Sequence, residues 1–451
     1  MTEHQSNQDL PPSQNVIIVG GSLSGLMHGV MLHRLGSTVR ILEKSTTSTP
    51  VSHMAGLCLG PDVLRFLKRF DNVSEIPLGI LSVQLQSLNI EGKVNPLLRV
   101  NRIMSSWDAL YFRLRANFDM LASEYVPFPP GLTSLRGEDT ETAKSRATYE
   151  VGKQVVGVEQ LETGQVLVRY NDLLAGGKEV ETRADLVIGA DGPNSTIRKS
   201  LCEPGEADRK YAGYVAWRGV VPEGVVSEAT RAIFRENITY SILPGTGGHV
   251  IVYNIPGKSG SIEPGERTLN FCWYTNVPDA SLAEIMIDIE GKLHHISLPP
   301  GKVDPTVWKK QRDYAKTIFA PAYLEMIQRI DSPFLHLITD FCSPRAAFAG
   351  GKILTVGDAS TLLRPHIAFS TNQAASHVLL TEKLVKGIVT PEEWEYQVTT
   401  ATHLHWRRSV WFGEYFQQPF YISIKSALAF WTAFTLAKVR IWMGWLPEQA
   451  V

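Results

Sequence analysis

An α/β fold with an inserted antiparallel sheet and a helical C-terminal segment is predicted by three features of the 451-residue chain. A strand, a glycine turn and a helix follow one another over residues 16–35. A second strand-to-turn signal, residues 352–359, comes more than three hundred residues later. Between them, residues 211–275 hold short β-rich runs parted by Pro and Gly, and from about residue 386 the pattern is helical to the end.

Bulk composition sets limits first. The length and the 44% apolar content suit two or three domains with a full core. A formal net charge of −1 gives no electrostatic basis for nucleic acid binding. Cys58, Cys202, Cys272 and Cys342 lie far apart and form no Cys-x-x-Cys pair, which predicts a reducing, cytoplasmic setting and argues against a disulfide framework or structural zinc. The first fifteen residues are polar, lack the apolar core of a signal peptide, and read as a loose lead-in. No uncharged run reaches the roughly 18–20 residues needed to span a bilayer.

Residues 16–19 (Val-Ile-Ile-Val) are continuously apolar, as in a parallel strand buried on both faces. Residues 21–35 read as a helix closed by Gly36, and residues 39–42 as the next strand, ending at Glu43. The three form a βαβ unit, which predicts a Rossmann-like domain. Residues 155–158 and 166–170 flank a glycine-containing turn, and residues 186–188 lead into Gly189-Ala190-Asp191-Gly192. Further strands are expected at 214–217, 249–255 and 269–274 within the inserted sheet. A polar insert covers residues 137–145, and no internal repeat is present.

The first turn carries the first chemistry. Gly20 permits the tight bend, Gly25 permits close helix–strand packing, and the helix start offers free N–H groups to a pyrophosphate. Ser22 holds the place of the usual middle glycine. Glu43 ends the second strand, where a carboxylate can accept from a ribose hydroxyl. At this point NAD and FAD are both open. The late acidic turn, Gly357-Asp358-Ala359, suggests a larger cofactor held at two points, which favours FAD.

An Asp-Gly turn after a strand is common by itself. The run Asp185-Leu186-Val187-Ile188-Gly189-Ala190-Asp191-Gly192-x-x-Ser195-x-x-Arg198 is far more specific, and it resembles the Asp-Gly motif of the class A FAD-dependent aromatic monooxygenases. Gly357-Asp358-Ala359, with Arg364-Pro365-His366 following, resembles that family's late Gly-Asp motif. The resemblance covers most of residues 14–385. Within the family it is nearest to the 2,6-dihydroxypyridine 3-monooxygenase group, through Ala55-Gly56-Leu57-x-Leu59-x-Pro61, Ser105-Ser106-Trp107-Asp108-x-Leu110-Tyr111 and Gly213-Tyr214-Val215-Ala216-Trp217-Arg218-Gly219. Pro333-Phe334, Ile338, Asp340 and Arg364-Pro365-His366 extend it.

The resemblance implies an FAD domain over 14–80, 101–205 and 341–385, a substrate domain over 81–100 and 206–340, and a helical segment over 386–451. It implies that Ser22, Leu23, Glu43 and Lys44 hold the ADP half of FAD. Asp191 would stand near the pyrophosphate and Asp358 would bind the ribityl chain. The segment from Pro365 through Ala368 to Ser370 would run beside the flavin ring. The implied reaction uses NAD(P)H as a transient co-substrate and O2 to hydroxylate an electron-rich aromatic or hydroxy-heteroaromatic small molecule through a hydroperoxyflavin. The alternative is another flavin oxidation on the same scaffold: epoxidation, ring-expanding oxygen insertion, dearomatisation, or oxidation without oxygen transfer. The chain departs from the family at Ala368 and Ser370, where glycines are usual, at Thr361, where His is common, and at Trp107, where a flavin-contacting arginine is frequent.

A group that helps to ionise the substrate ring is expected in such enzymes. His366, His249 and Tyr253 are the candidates, and Arg218 could pair with a substrate carboxylate or form a structural salt bridge. His294-His295 and His403-x-His405 lack acidic or thiol partners at metal-binding spacing and read as structural. Residues 406–445 hold five of the ten tryptophans and more basic than acidic residues. They predict helices packed on the flavin domain or a second subunit, or a peripheral membrane contact suited to a lipophilic substrate.

Overall fold

The computed structural model describes residues 13–49, 55–73, 75–132, 140–243, 245 and 247–446. Residues 1–12 of the expected lead-in and 137–139 of the polar insert lie outside this set. The βαβ unit begins with β1 (Asn15–Val19), α1 (Leu23–Arg34) and β2 (Thr38–Leu42). They belong to a six-stranded sheet in the order β17 (Ala347–Phe348), β18 (Ile353–Thr355), β10 (Leu186–Gly189), β1, β2, β6 (Ala147–Glu150). Its inner strands are parallel: Val19 pairs with Gly189, and Gly189 with Thr355. Three strands distant in sequence therefore end at one edge.

Strand alternation divides the two faces of this sheet. Val16 and Ile18 pack with α1, α2 (Pro61–Phe70), α3 (Trp107–Asp119) and α10 (Ser370–Val385). Ile17 and Val19 face a three-stranded sheet, β7 (Lys153–Gln160), β8 (Val166–Asp172) and β9 (Lys178–Ala184), together with α5 (Thr196–Leu201). Helix α4 (Thr140–Ser145) precedes β6.

The inserted unit is a long sheet in the order β15 (Ser297–Leu298), β16 (Phe334–Cys342), β11 (Lys210–Pro222), β14 (Thr268–Asn276), β13 (Gly248–Ile255), β12 (Asn237–Leu243), β4 (Ile80–Leu88), β5 (Val94–Ser106), β3 (Gly56–Leu59). The short β19 (Thr361–Leu362) pairs with β16. Every neighbour is antiparallel except the β12–β4 pair. Gly56–Leu59, although early in sequence, is thus a strand of this sheet. One face buries Trp217, Phe271, Trp273, Val250 and Val252 against α6 (Glu228–Phe234), α7 (Leu282–Met286), α8 (Pro305–Ile318) and α9 (Pro321–Gln328). The alternate residues Ala216, Arg218, Cys272, Tyr274, His249, Ile251 and Tyr253 point to the other face, which lines a cavity.

Two long helices close the chain, α11 (Pro391–Gln417) and α12 (Phe420–Trp442). Helix α11 starts with a full capping box, Thr390 with Glu393, and with Pro391 in its first turn. Trp394 then enters the core fully buried, and its indole N–H donates to Thr381 of α10 at 3.2 Å. This side chain joins the C-terminal helices to the βαβ unit. Trp394→Ala is expected to destabilise the protein by about 3–5 kcal/mol through the cavity and the lost bond, measured by urea unfolding. Trp442→Ala, at a position 85% exposed, is expected to stay within about 0.5 kcal/mol.

Candidate active site

At the edge where β1, β10 and β18 end, three turns meet. Gly20 takes φ +100°, and a Cβ there would lie 2.4 Å from the Ala190 carbonyl oxygen, so only glycine allows this approach. Ser22 begins α1 without a side-chain cap, and no acid occupies the first turn, so the helix dipole and N–H groups face outward unopposed. Leu23 is half-buried and Lys44 exposed. Glu43 accepts from the Gly21 and Ser45 amides at 2.8 Å each, which fixes its carboxylate beside the turn.

Asp191 caps α5: one carboxylate oxygen accepts from the Thr196 and Ile197 amides at 2.6 and 3.2 Å, while the other is buried with no partner. Arg198, on that same helix, is buried and donates to the carbonyls of Ala359 (2.7 Å) and Pro193 (2.8 Å), with its guanidinium 3.9 Å from the Phe341 ring centre. It thereby ties the Asp191 turn to the Gly357 turn. A Cβ on Gly357 would meet the Ser24 hydroxyl oxygen at 2.8 Å, and that hydroxyl has no partner. Asp358 is half-buried beside Arg209; burial pushes its carboxyl up to about 6, against the pull of the guanidinium.

Tyr111, from the run at residues 105–111, completes this end with three residues that no motif marks, Arg115, Tyr149 and Arg209. Trp107 stacks on Tyr111 at 4.7 Å, Arg115 donates to the Tyr111 hydroxyl at 2.7 Å, and the Arg115 guanidinium lies 3.7 Å from the Tyr149 ring centre. Tyr149 donates to the Gly21 carbonyl at 3.0 Å. Arg115, Tyr149 and Arg209 lie outside any glycine turn, so spacing alone could not single them out. The nearest signal for Arg115 is the Trp107–Tyr111 run at the start of the same helix, which Ser106 caps.

The second half of the site is a cavity of about 370 Å³ under the large sheet, within the range usual for small-molecule sites. His249, Tyr253 and His366 all line it, as do Arg218, Asn270 and Tyr240. Pro365, Ala368, Phe369 and Ser370 form one end, and Phe412 and Phe416 of α11 another. Hydrogen-bond logic fixes several polar groups. Asp340 accepts from Arg364 (2.6 Å) and from the Trp406 indole (2.7 Å). Arg364, which can only donate, faces the Tyr214 oxygen. The Tyr214 hydrogen has no other acceptor among the described residues, so the hydroxyl is assigned as donor to His366 Nε2, 2.7 Å away, which places the ring hydrogen on Nδ1. That Nδ1 is buried without a protein partner.

Asn270 is fixed in the same way. Its Oδ1 accepts from the Gly56 amide at 3.2 Å, so its unpartnered Nδ2 is a donor. Arg218 Nε is also buried and unpartnered, over the Phe334 ring. Burial pushes His366 down to about 3 and His249 well below the usual imidazole range, so both rings are neutral. His249 lies 4.3 Å from Tyr274 and 5.0 Å from Tyr240, ring centre to ring centre, and meets Gln417 through Nδ1 at 2.6 Å. Elsewhere, His294 pairs with Asp288 at 2.7 Å, His403 accepts from Arg407 at 2.8 Å, and His405 packs on Phe369.

Comparison with known proteins places the chain in a family. The family described as FAD binding domain matches residues 13–69, and the one described as FAD binding domain-like matches residues 211–340. The chain is 30% identical to the 2,6-dihydroxypyridine 3-monooxygenase of Paenarthrobacter nicotinovorans over 362 residues, 79% of each protein. The chain belongs to the class A FAD-dependent aromatic monooxygenases. The 3-amino-4-hydroxybenzoate 2-monooxygenase of Streptomyces cremeus is 24% identical over 80% of this chain and 76% of its own length. The solved 2,6-dihydroxypyridine-3-hydroxylase from Arthrobacter nicotinovorans shares the fold, with a TM-score of 0.74, 24% identity, and coverage of 90% of this chain and 94% of that one.

The geometry of this monooxygenase fits its cofactor. The uncapped start of α1, the close approach at Gly20 and the unpartnered Ser24 hydroxyl are features a dinucleotide pyrophosphate would satisfy, and the unpartnered Asp191 oxygen would accept from a hydroxyl of the sugar chains beside it. Asp358 supplies a pH test. Its folded value lies above that of an unfolded aspartate, so the folded state holds this proton more tightly. Its contribution to stability therefore worsens as pH rises from about 4 to about 6 and stays unfavourable above that. In FAD-free protein, Asp358→Asn is expected to gain on wild type over that window, read from paired urea midpoints. Ala368 supplies a second test. It sits in the left-handed region at φ +49°, which costs a Cβ-bearing residue roughly 1 kcal/mol. Ala368→Gly is expected to stabilise the protein by up to about 1 kcal/mol, seen as a higher urea midpoint.

Proposed function

We propose that this FAD-dependent monooxygenase hydroxylates an electron-rich hydroxy-aromatic or hydroxy-heteroaromatic ring that it holds as the anion. One observation carries the reading. His366 Nδ1–H, Asn270 Nδ2–H and Arg218 Nε–H are buried donors without protein partners, all on one cavity. A buried donor without a partner costs about 1–3 kcal/mol, so their convergence calls for an acceptor-rich ligand. A ring whose hydroxyl has ionised supplies that acceptor and is also the better carbon nucleophile. The hydroxylated rings in the names of the two relatives agree with this class.

The roles follow. His366, its tautomer set by Tyr214, donates to the ring oxyanion. Arg218 receives its negative charge, Asn270 a second acceptor, and His249 and Tyr253 shape the wall. Gly20, Ser22, Leu23, Gly25, Glu43 and Lys44 bound the ADP half of the cofactor, and Asp191, Gly357 and Asp358 its pyrophosphate and ribityl part. Pro365, Ala368 and Ser370 border the ring. Bound FAD supplies the reactive oxygen from O2 at the expense of NAD(P)H; the balance is one ring C–H and O2 plus NAD(P)H and H⁺ giving C–OH, water and NAD(P)⁺. The unit boundaries expected from sequence serve as functional units, with Gly56–Leu59 and residues 101–106 of β5 adding their strands to the substrate sheet. A cytoplasmic setting goes with the four separate thiols.

The test is direct. Purified protein should show flavin absorption bands, and NADPH oxidation should rise with 2,6-dihydroxypyridine or a hydroxybenzoate, giving a product with one oxygen from labelled O2. His366→Ala should retain FAD and lower kcat/KM by about 10- to 100-fold, the worth of one charge-assisted hydrogen bond. Tyr214→Phe should lose less. Unchanged kcat/KM in His366→Ala would exclude the donor role.

A further inference from the structure

Helix α12 is the most apolar long helix of the fold, yet only 17% of its most apolar window is buried. Its inner face, with Phe430 and Ala437, packs on α11. The outer face carries Ile424, Leu428, Trp431, Val439 and Trp442, spaced at helical period into one stripe and each 42–85% exposed. Lys425, Lys438 and Arg440 are exposed on the same helix, and residues 420–446 contain no Asp or Glu.

We propose that the outer face of α12 docks on an anionic lipid bilayer and lies flat in its interface. Apolar area and tryptophan fit the boundary between headgroups and acyl chains, and three cations without an acid fit anionic headgroups. The helix does not span: the uncharged stretch between Lys425 and Lys438, residues 426–437, is about 18 Å long at 1.5 Å per residue, against a hydrocarbon core of roughly 30 Å. A second copy is the poorer occupant, because a two-fold contact sets the same three cations of each copy against each other with no acid to answer them.

The docked face is also joined to the cavity by a file of rings. Trp431 meets Trp411 at 6.0 Å, Trp411 meets Phe412 at 5.1 Å, Phe412 meets Phe416 at 6.0 Å, and Phe416 meets His249 at 5.1 Å. Resting on the hydroxylase reading, this file suits a lipophilic aromatic substrate drawn from the bilayer.

Co-sedimentation of the full-length holoenzyme with vesicles tests the docking and needs no turnover. Protein should pellet with phosphatidylcholine vesicles holding about 30% phosphatidylserine, and much less with phosphatidylcholine alone or in about 0.5 M NaCl. The double substitution Leu428→Glu and Trp442→Glu should lower the partition at least about tenfold while the flavin bands remain. Should that variant lose its flavin, Lys425→Gln, Lys438→Gln and Arg440→Gln together decide: they should abolish the preference for anionic vesicles. Wild-type protein that stays in the supernatant overturns the proposal. So does a dimer by light scattering that the double variant splits without any vesicle binding. Vesicle binding by a protein that hydroxylates nothing would leave the docking standing and the hydroxylase reading fallen.

Discussion

The fold turns on Arg198. Its guanidinium is buried without a salt bridge among the described residues, and burial lowers its pKa against the pull of Asp191. What it obtains in return are two carbonyls from different turns, Ala359 and Pro193, and the face of Phe341. Leaving such a group unpaired would cost several kcal/mol, so the Asp191 and Gly357 turns are held at a fixed separation. The parallel register of β1, β10 and β18 brings the strand ends to one edge, and Arg198 fixes the loops that follow.

The substrate side rests on strand alternation. On β13, Val250 and Val252 enter the core while His249, Ile251 and Tyr253 face the cavity; on β14, Phe271 and Trp273 alternate with Cys272 and Tyr274. A slip of one residue in either strand would exchange the two sets. Core packing therefore also positions the cavity groups. Their polarity is set at one remove: Asp340 orients Arg364, Arg364 orients the Tyr214 hydroxyl, and Tyr214 decides which nitrogen of His366 carries the hydrogen. The sequence marks His366 as a candidate to help ionise the ring, and in the proposed role it does so by donating to the oxyanion. With burial holding it near 3, the ring is a poor base and a well-aimed donor.

Ala368 shows a local rule broken next to the chemistry. A glycine would take φ +49° without strain, and the chain carries a Cβ there instead, on the cavity wall beside Phe369 and Ser370. The position was visible in the sequence as a departure from the family pattern. Its conformation was not, because φ is fixed by the Pro365 turn and the start of α10.

Sequence by itself determined the class of fold, the cofactor and the order of the parts, because those depend on short contiguous signals: the Gly20 turn, the Asp191 run and the Gly357 turn. It also marked the aromatic, basic tail, since composition over one helix is local information. Only the tertiary structure decided which distant side chains share a wall. Tyr149 and Arg115 reach the first turn from a strand and a helix more than ninety residues away, and Asn270 is oriented by an amide at Gly56. The tautomer of His366 depends on four residues between positions 214 and 406. Such contacts come from sheet register and helix packing, whose sequence separations no motif spans.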